Sequence, residues 1–216
     1  MKEYILIDLD GTLINSKEGI TKSLQYALGQ MGIIINDLDS LTRHIGPPLR
    51  ESIGEYYGLS DEDISKTIKK YRKRYNEKAL DENEVYEGVE ELLSSLKQAG
   101  KYLIVATSKQ EASAIQVLEH FGLDGYFDDI CGANELEGRN DKTSVIHHAL
   151  SKNQIEDLSK VVMVGDRKYD IEGAKAVGID SIGVLYGFGS REELEKAGCD
   201  QIVETVEEIH RIIIGS

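Results

Sequence analysis

The chain has 216 residues, enough for one ordinary domain with a substantial core or for a core plus a small inserted module. Hydrophobic residues make up 40% and charged residues 30%, a globular rather than a disordered balance. Against 25 Lys and Arg stand 39 Asp and Glu, a formal net charge of -14. Such a surface repels phosphate backbones, which argues against nucleic-acid binding. It repels small anions too, so a site for one needs local cations or a metal.

Met1 to Asp8 does not read as a secretory signal, because its apolar stretch is short and runs into acidic residues. No apolar run approaches the roughly 20 residues that span a bilayer. Ile212, Ile213 and Ile214 read as the buried end of a helix. Cys131 and Cys199 are too few for a disulfide scaffold. They are expected as reduced packing residues in a cytoplasmic protein with no membrane partner.

Tyr4-Ile5-Leu6-Ile7 is short, apolar and β-branched, as suits a strand buried on both faces. It stops at Asp8-Leu9-Asp10-Gly11-Thr12. From about Lys17 to Glu77 the pattern is helical, with periodic apolar residues over Lys17–Met31. Pro48 opens a helix to Tyr57, and Ser60 caps one over Asp61–Asn76. After Tyr86 the character alternates. Helices are predicted over Gly88–Ala99, Glu111–Phe121, Thr143–Leu150, Ile171–Val177, Arg191–Ala197 and Val206–Ile213. Strands are predicted over Tyr102–Ala106, Phe127–Gly132, Val161–Val164, Ser181–Leu185 and Gln201–Val203. Such alternation gives an α/β fold, a Rossmann-like three-layer core with a parallel sheet. Residues 1–14 and 84–216 form that core. Residues 15–83 form an inserted all-helical cap, with linkers near Leu13–Ser16 and Leu80–Tyr86.

Ligands bind open parallel sheets at the carboxyl ends of the strands. Asp8 and Asp10 follow the first strand, Thr107 and Ser108 the second of the core, and Asp166 a later one; Lys142 opens a helix between them. Each belongs to a different βα unit, yet all converge on one rim. Asp8 and Asp10, two apart, repel each other, and a divalent cation with a preference for oxygen relieves this. Few all-oxygen ligands plus open positions favour magnesium. Taken singly, Asp166 reads as a helix cap, Thr107 as another and Lys142 as a surface lysine; the convergence outweighs those readings. Gly187-Phe188-Gly189 lacks the third glycine of a dinucleotide loop, since Glu192 stands there. Adjacent His147 and His148 cannot face one metal and read as surface or interface residues.

The pattern resembles the four-block signature of the haloacid dehalogenase superfamily of phosphotransferases. The blocks are Asp8-Leu9-Asp10-Gly11-Thr12, Val105-Ala106-Thr107-Ser108, Lys142, and Gly165-Asp166-Arg167-Lys168-Tyr169-Asp170. Ile45-Gly46-Pro47-Pro48-Leu49 and Tyr186-Gly187-Phe188-Gly189 are most similar to the phosphoglycolate phosphatase-like branch, whose helical cap sits between blocks one and two. Thr143 follows Lys142 where the family often has proline, which leaves Lys109 as the other candidate lysine.

The resemblance implies a magnesium-dependent phosphatase for a small phosphate monoester: phosphoglycolate-like, a sugar phosphate or a nucleoside monophosphate. It implies Asp8 as nucleophile, with an aspartyl-phosphate intermediate, and Asp10 as general acid and base. Mg²⁺ would be held by the Asp8 carboxylate, the Asp10 carbonyl and the Asp166 carboxylate, with Asp170 holding a water on the metal. Thr107, Lys142 and backbone groups near Gly11 and Ser108 would bind the phosphoryl group. Arg50 in the cap is the candidate for recognising the leaving group. A phosphomutase of the β-phosphoglucomutase type uses the same two aspartates and is the alternative. A monomer or weak dimer is expected, because the cap must move.

Overall fold

The computed structural model describes residues 2–215. Strand β1 (Tyr4–Ile7) is followed by a loop and a two-residue strand, β2 (Ile14–Asn15). Helices α1 (Lys17–Gly29), α2 (Leu49–Tyr57) and α3 (Asp61–Arg74) come next, then a second short strand, β3 (Glu84–Val85). Helix and strand then alternate as α4 (Val89–Gln98), β4 (Tyr102–Gln110), α5 (Glu111–His120), β5 (Asp129–Ala133), α6 (Lys142–Lys152) and β6 (Val161–Gly165). The chain finishes with α7 (Lys168–Val177), β7 (Asp180–Val184), α8 (Arg191–Ala197), β8 (Gln201–Val203) and α9 (Val206–Ile214).

Six strands form one parallel sheet in the order β5-β4-β1-β6-β7-β8. This is the expected α/β class and parallel sheet. Side chains alternate between its faces. Ile5 and Ile7 join a cluster with residues of α4, α5 and α9, whereas Leu6 joins one with residues of α6 and α7. Helices therefore cover both faces, and β1 lies at the centre: from it the chain builds β4 and β5 on one side, then crosses back through α6 to add β6 and β7 on the other. That reversal opens a crevice at the carboxyl end of β1, where Asp8 stands.

Between β2 and β3 the helices pack on one another through Ile20, Leu24 and Leu28 of α1 and Ile64 and Ile68 of α3. Helix α3 is well signposted. Ser60 Oγ accepts from the Asp63 N–H, acidic residues fill its first turn and Arg72, Lys73 and Arg74 its last, matching the helix dipole.

The structure departs from the predicted boundaries in ways with local causes. Strand β4 runs on past Ala106 to Gln110, with a register irregularity after Thr107. Gly132 permits this, since a Cβ there would meet Glu111 Cα at 2.5 Å and Lys109 O at 2.7 Å. Helix α3 stops at Arg74 and passes into a π-helical turn over Tyr75–Ala79 instead of continuing to Asn76. Pro48 sits at the N-cap of α2 with extended ψ, so the helix begins at Leu49. Helices α6 and α7 start earlier than predicted, behind capping interactions at Asp141 and Arg167. The expected linkers hold the antiparallel pair β2–β3, tied by Tyr86 N–H to Leu13 O at 3.1 Å and Asn15 Nδ2 to Glu84 Oε1 at 2.8 Å. Two residues per strand are too few for a periodicity to register.

Candidate active site

Asp8 follows β1 directly. Its N–H donates to Val164 O of β6 at 2.9 Å, which fixes the backbone that carries the carboxylate. The side chain is buried, as are those of Lys142, Asp166 and Asp170. Lys142 is the first residue of α6, set there by the Asp141–Ser144 capping box. Its Nζ stands 2.7 Å from Asp8 Oδ1, 2.8 Å from Asp170 Oδ1 and 2.8 Å from Ala106 O. The sequence left Lys142 and Lys109 as rivals for this position; Lys142 is the one beside Asp8.

Asp166 follows β6 and is fully buried. Its Oδ2 accepts from the Phe188 N–H at 2.7 Å, while Oδ1 has no partner among the described residues. Three glycines make room for it. A Cβ on Gly11 would meet Asp166 Oδ2 at 2.3 Å, one on Gly187 would meet Asp166 Cβ at 2.4 Å, and one on Gly189 would meet Asp166 O at 1.9 Å. Gly187-Phe188-Gly189 is thus the segment that packs against Asp166 and bonds its carboxylate. The sequence reading did not place it at the site; glycines two apart just after a strand were the available signal. Asp170, in the first turn of α7, accepts from the Arg167 N–H through Oδ2 at 3.0 Å.

Burial pushes the Asp8 carboxyl up to about 6; Lys142 draws it down, and Asp170 and Asp10 push it further up. Burial, then Asp170 and Asp8, raise the Asp166 carboxyl well above its ordinary value. For Lys142 burial acts downward, but Asp170 and Asp8 outweigh it and hold the ammonium above its usual range. One lysine therefore stands between two of these carboxylates, Asp8 and Asp170. Oxygens of Asp8, Asp166 and Asp170 lie within 4.8 Å of one another. An all-carboxylate donor set with an unpartnered buried oxygen fits a hard divalent cation. The Asp10 carbonyl accepts no hydrogen bond among the described residues and faces the same need.

The Asp10 carboxylate is not part of that triad. Its Oδ2 accepts from Lys109 Nζ at 2.6 Å, and Oδ1 is unpartnered among the described residues. Thr107 is buried and its Oγ1 accepts from the Lys109 N–H at 3.2 Å; the Ser108 hydroxyl has no partner among the described residues. Gly11, at φ +89°, donates its N–H to Ile14 O at 2.8 Å. The Gly11 N–H is thus taken, while those of Leu9 and Asp10 nearby find no acceptor among the described residues.

A cavity of about 790 Å³ lies over these groups, between the sheet rim and the helices of 17–82. Arg50 stands on its wall, exposed, with Nη2 donating to Ser65 Oγ at 3.0 Å. The helices dock on the sheet unit through Arg167 Nη1 to Ile45 O and through Arg72 Nη2 to Glu135 Oε1 at 3.2 Å. His147 is exposed, and His148 is half-buried against Arg139. Both cysteines are unpaired. No helix of the described residues is long and apolar enough to cross a membrane.

The profile of the family described as haloacid dehalogenase-like hydrolase matches residues 5–184. The chain belongs to that family. It is 42% identical over 191 residues to a 5'-nucleotidase of Pseudomonas aeruginosa, covering 88% of this chain and 86% of the relative. It is 36% identical over 214 residues to the tyrosine-protein kinase PtkA of Mycobacterium tuberculosis, covering 98% of this chain and 72% of the relative. A crystal structure of a predicted phosphatase from Clostridium acetobutylicum superposes with a TM-score of 0.95 at 46% identity, covering all of both chains. The haloacid dehalogenase-like chain is an enzyme of the phosphatase kind, a phosphoric monoester hydrolase.

Proposed function

We propose that this hydrolase is a magnesium-dependent phosphatase that works through an aspartyl-phosphate on Asp8. The observation that carries the reading is the buried Asp8 carboxylate at the floor of the cavity, with Lys142 on one oxygen and Asp166 and Asp170 beside it. Asp8 attacks phosphorus in line with the ester oxygen, and the P–O bond to the leaving group breaks as the Asp8–phosphorus bond forms. Asp10 gives its proton to the departing oxygen, then takes one from the water that cleaves the acyl phosphate. Lys142, Thr107, the Ser108 hydroxyl and the free N–H groups of Leu9 and Asp10 hold the equatorial phosphoryl oxygens. Asp8, Asp166, Asp170 and the Asp10 carbonyl are the groups that would hold magnesium, whose charge offsets that of the carboxylates and the phosphate.

The helices of 15–83 act as a cap that excludes water in the first step. Similarity to a named 5'-nucleotidase favours a nucleoside monophosphate among the small phosphate esters. Arg50, on the cavity wall, is the cap side chain proposed to meet the leaving group. A phosphomutase would use the same aspartates but return phosphate to a sugar hydroxyl.

The test is phosphate release from p-nitrophenyl phosphate and from a panel of nucleoside, sugar and two-carbon phosphates, with magnesium and with EDTA. Magnesium-dependent release of free phosphate supports the hydrolase. Isomerised sugar phosphate without free phosphate identifies the mutase instead.

A further inference from the structure

Lys109 is half-buried, with its side chain largely covered, yet among the described residues it is bonded to none of Asp8, Asp166 and Asp170. Its Nζ donates to Asp10 Oδ2 at 2.6 Å and lies 4.6 Å from the centroid of the Tyr75 ring. Asp10 belongs to the loop after β1, Lys109 to the far end of β4 and Tyr75 to the helical insertion. One ammonium thus joins the proposed general acid to the cap.

Each partner is held in place by its own local structure. The irregular end of β4, which Gly132 allows, carries Lys109 beyond the regular ladder toward Asp10. The π-helical turn begins at Tyr75, and such turns re-aim a side chain that a regular helix would direct elsewhere. Tyr75 is buried, its ring tilted 32° against that of Tyr71 at 5.6 Å between centroids, and its hydroxyl accepts from Asn83 Nδ2 at 3.0 Å, next to β3. Arg74 anchors the start of the turn through a bidentate pair with Glu82, both contacts at 2.8 Å. The Tyr75 face is therefore fixed relative to the segment where the insertion rejoins the sheet.

We propose that Lys109 is a positioning residue that couples cap closure to proton delivery. With Tyr75 seated on it, the ammonium holds Asp10 Oδ2 and leaves Oδ1, unpartnered among the described residues, for the leaving-group oxygen in the cavity that Asp10 lines. A cation between a carboxylate and an aromatic face is favoured in a desolvated setting. When the cap lifts, Tyr75 leaves, water reaches the pair, and Asp10 loses its fixed orientation. The proton still passes from Asp10 to the departing oxygen as the phosphorus–oxygen bond breaks; Lys109 transfers nothing. The inference rests on Asp10 being the general acid.

Leaving groups separate this role from general structural damage. An alkyl phosphate needs its oxygen protonated as it departs, whereas p-nitrophenolate leaves without that help. Turnover of an alkyl ester and of p-nitrophenyl phosphate by the magnesium-loaded full chain should be compared in Lys109→Met, Lys109→Arg, Tyr75→Leu and Asp10→Asn. Lys109→Met is expected to lose kcat/KM, which reports phosphoryl transfer to Asp8 and not the later hydrolysis, at least tenfold more on the alkyl ester than on the aryl ester. Tyr75→Leu should show the same pattern at reduced size, and Lys109→Arg should recover part of it. Equal losses on both esters in Lys109→Met and Tyr75→Leu, or no loss, overturn the proposal. If Lys109→Met does not fold, Tyr75→Leu alone decides it. Asp10→Asn separates the two levels: losing the base of the later hydrolysis lowers kcat on both esters, but if its kcat/KM also falls equally on both, the general-acid reading fails. If it is selective while the Lys109 and Tyr75 variants are not, only the coupling fails.

Discussion

Lys142 Nζ stands between two carboxylates, 2.7 Å from Asp8 Oδ1 and 2.8 Å from Asp170 Oδ1, and all three side chains are almost wholly buried. Removing one partner of a buried ion pair typically costs ~3–5 kcal/mol, because the remaining charges stay buried without compensation. Lys142→Met should therefore lower both stability and turnover. Turnover should fall on the order of 10²-fold or more, as when a preorganised donor to a transition-state oxygen is lost. Lys109 is engaged by Asp10 and will not substitute for it. Urea unfolding and steady-state kinetics on the same variant check this; full activity would remove Lys142 from the site.

Metal addition should stabilise the fold. A ligand at 100 times its Kd adds about 2.7 kcal/mol, which for a chain of this size raises Tm by on the order of 5–10 °C. Asp166→Asn should abolish that rise. The rise should also depend on pH. The folded Asp8 carboxyl, pushed up to about 6, lies above its unfolded value. Its stabilising contribution is then present below about pH 4 and lost as pH rises through 6. Magnesium should therefore raise Tm more at pH 7.5 than at pH 5, as thermal melts at both values would report. An equal rise at both would contradict the assignment.

The close packing of the Gly187 backbone on Asp166 predicts a metal defect from a residue that carries no side chain. A Cβ at 187 would meet Gly11 O at 2.3 Å and Asp166 Cβ at 2.4 Å, so Gly187→Ala must displace the carboxylate. Magnesium affinity, read by calorimetry, should fall at least tenfold. Gly29 is the control: it ends α1 with nothing near its Cβ position, and Gly29→Ala should leave affinity intact and gain ~0.5–1 kcal/mol.

His44 should give the helical insertion its own acid sensitivity. Its ring stacks on Tyr57, with Nδ1 3.0 Å from Ser52 Oγ and Nε2 3.1 Å from Tyr57 Oη. Burial, with Arg43 adding to it, lowers its folded value to about 4. The neutral ring's stabilising contribution is full above the unfolded value near 6.5 and is lost as pH falls toward 4. Between pH 7.5 and 4.5 the wild-type protein should lose ~2 kcal/mol more than His44→Gln, measured by urea unfolding. Parallel losses would refute it.

The sheet and the acidic rim were readable because their signals repeat. The apolar runs of β1, β4 and β6 are followed by Asp8, Thr107 and Asp166, so position along the strand already implied a shared edge. What stayed hidden depends on contacts distant in sequence. Nothing local shows that Lys142 reaches Asp8 while Lys109, in the denser block, turns to Asp10. The glycines at 187 and 189 read as a failed nucleotide loop because their reason is Asp166, about twenty positions earlier. The π-helical turn at Tyr75 leaves the apolar period of α3 nearly intact and so passes as ordinary helix.

The central claim is that Asp8 itself carries the phosphoryl group, and chemical trapping tests it most directly. Enzyme quenched during turnover and reduced with borohydride converts an aspartyl-phosphate to homoserine, which peptide mass spectrometry locates. Homoserine is expected at position 8, and only when substrate and magnesium are both present. Conversion at another aspartate, or an Asp8→Asn variant that turns over at the wild-type rate, would contradict it.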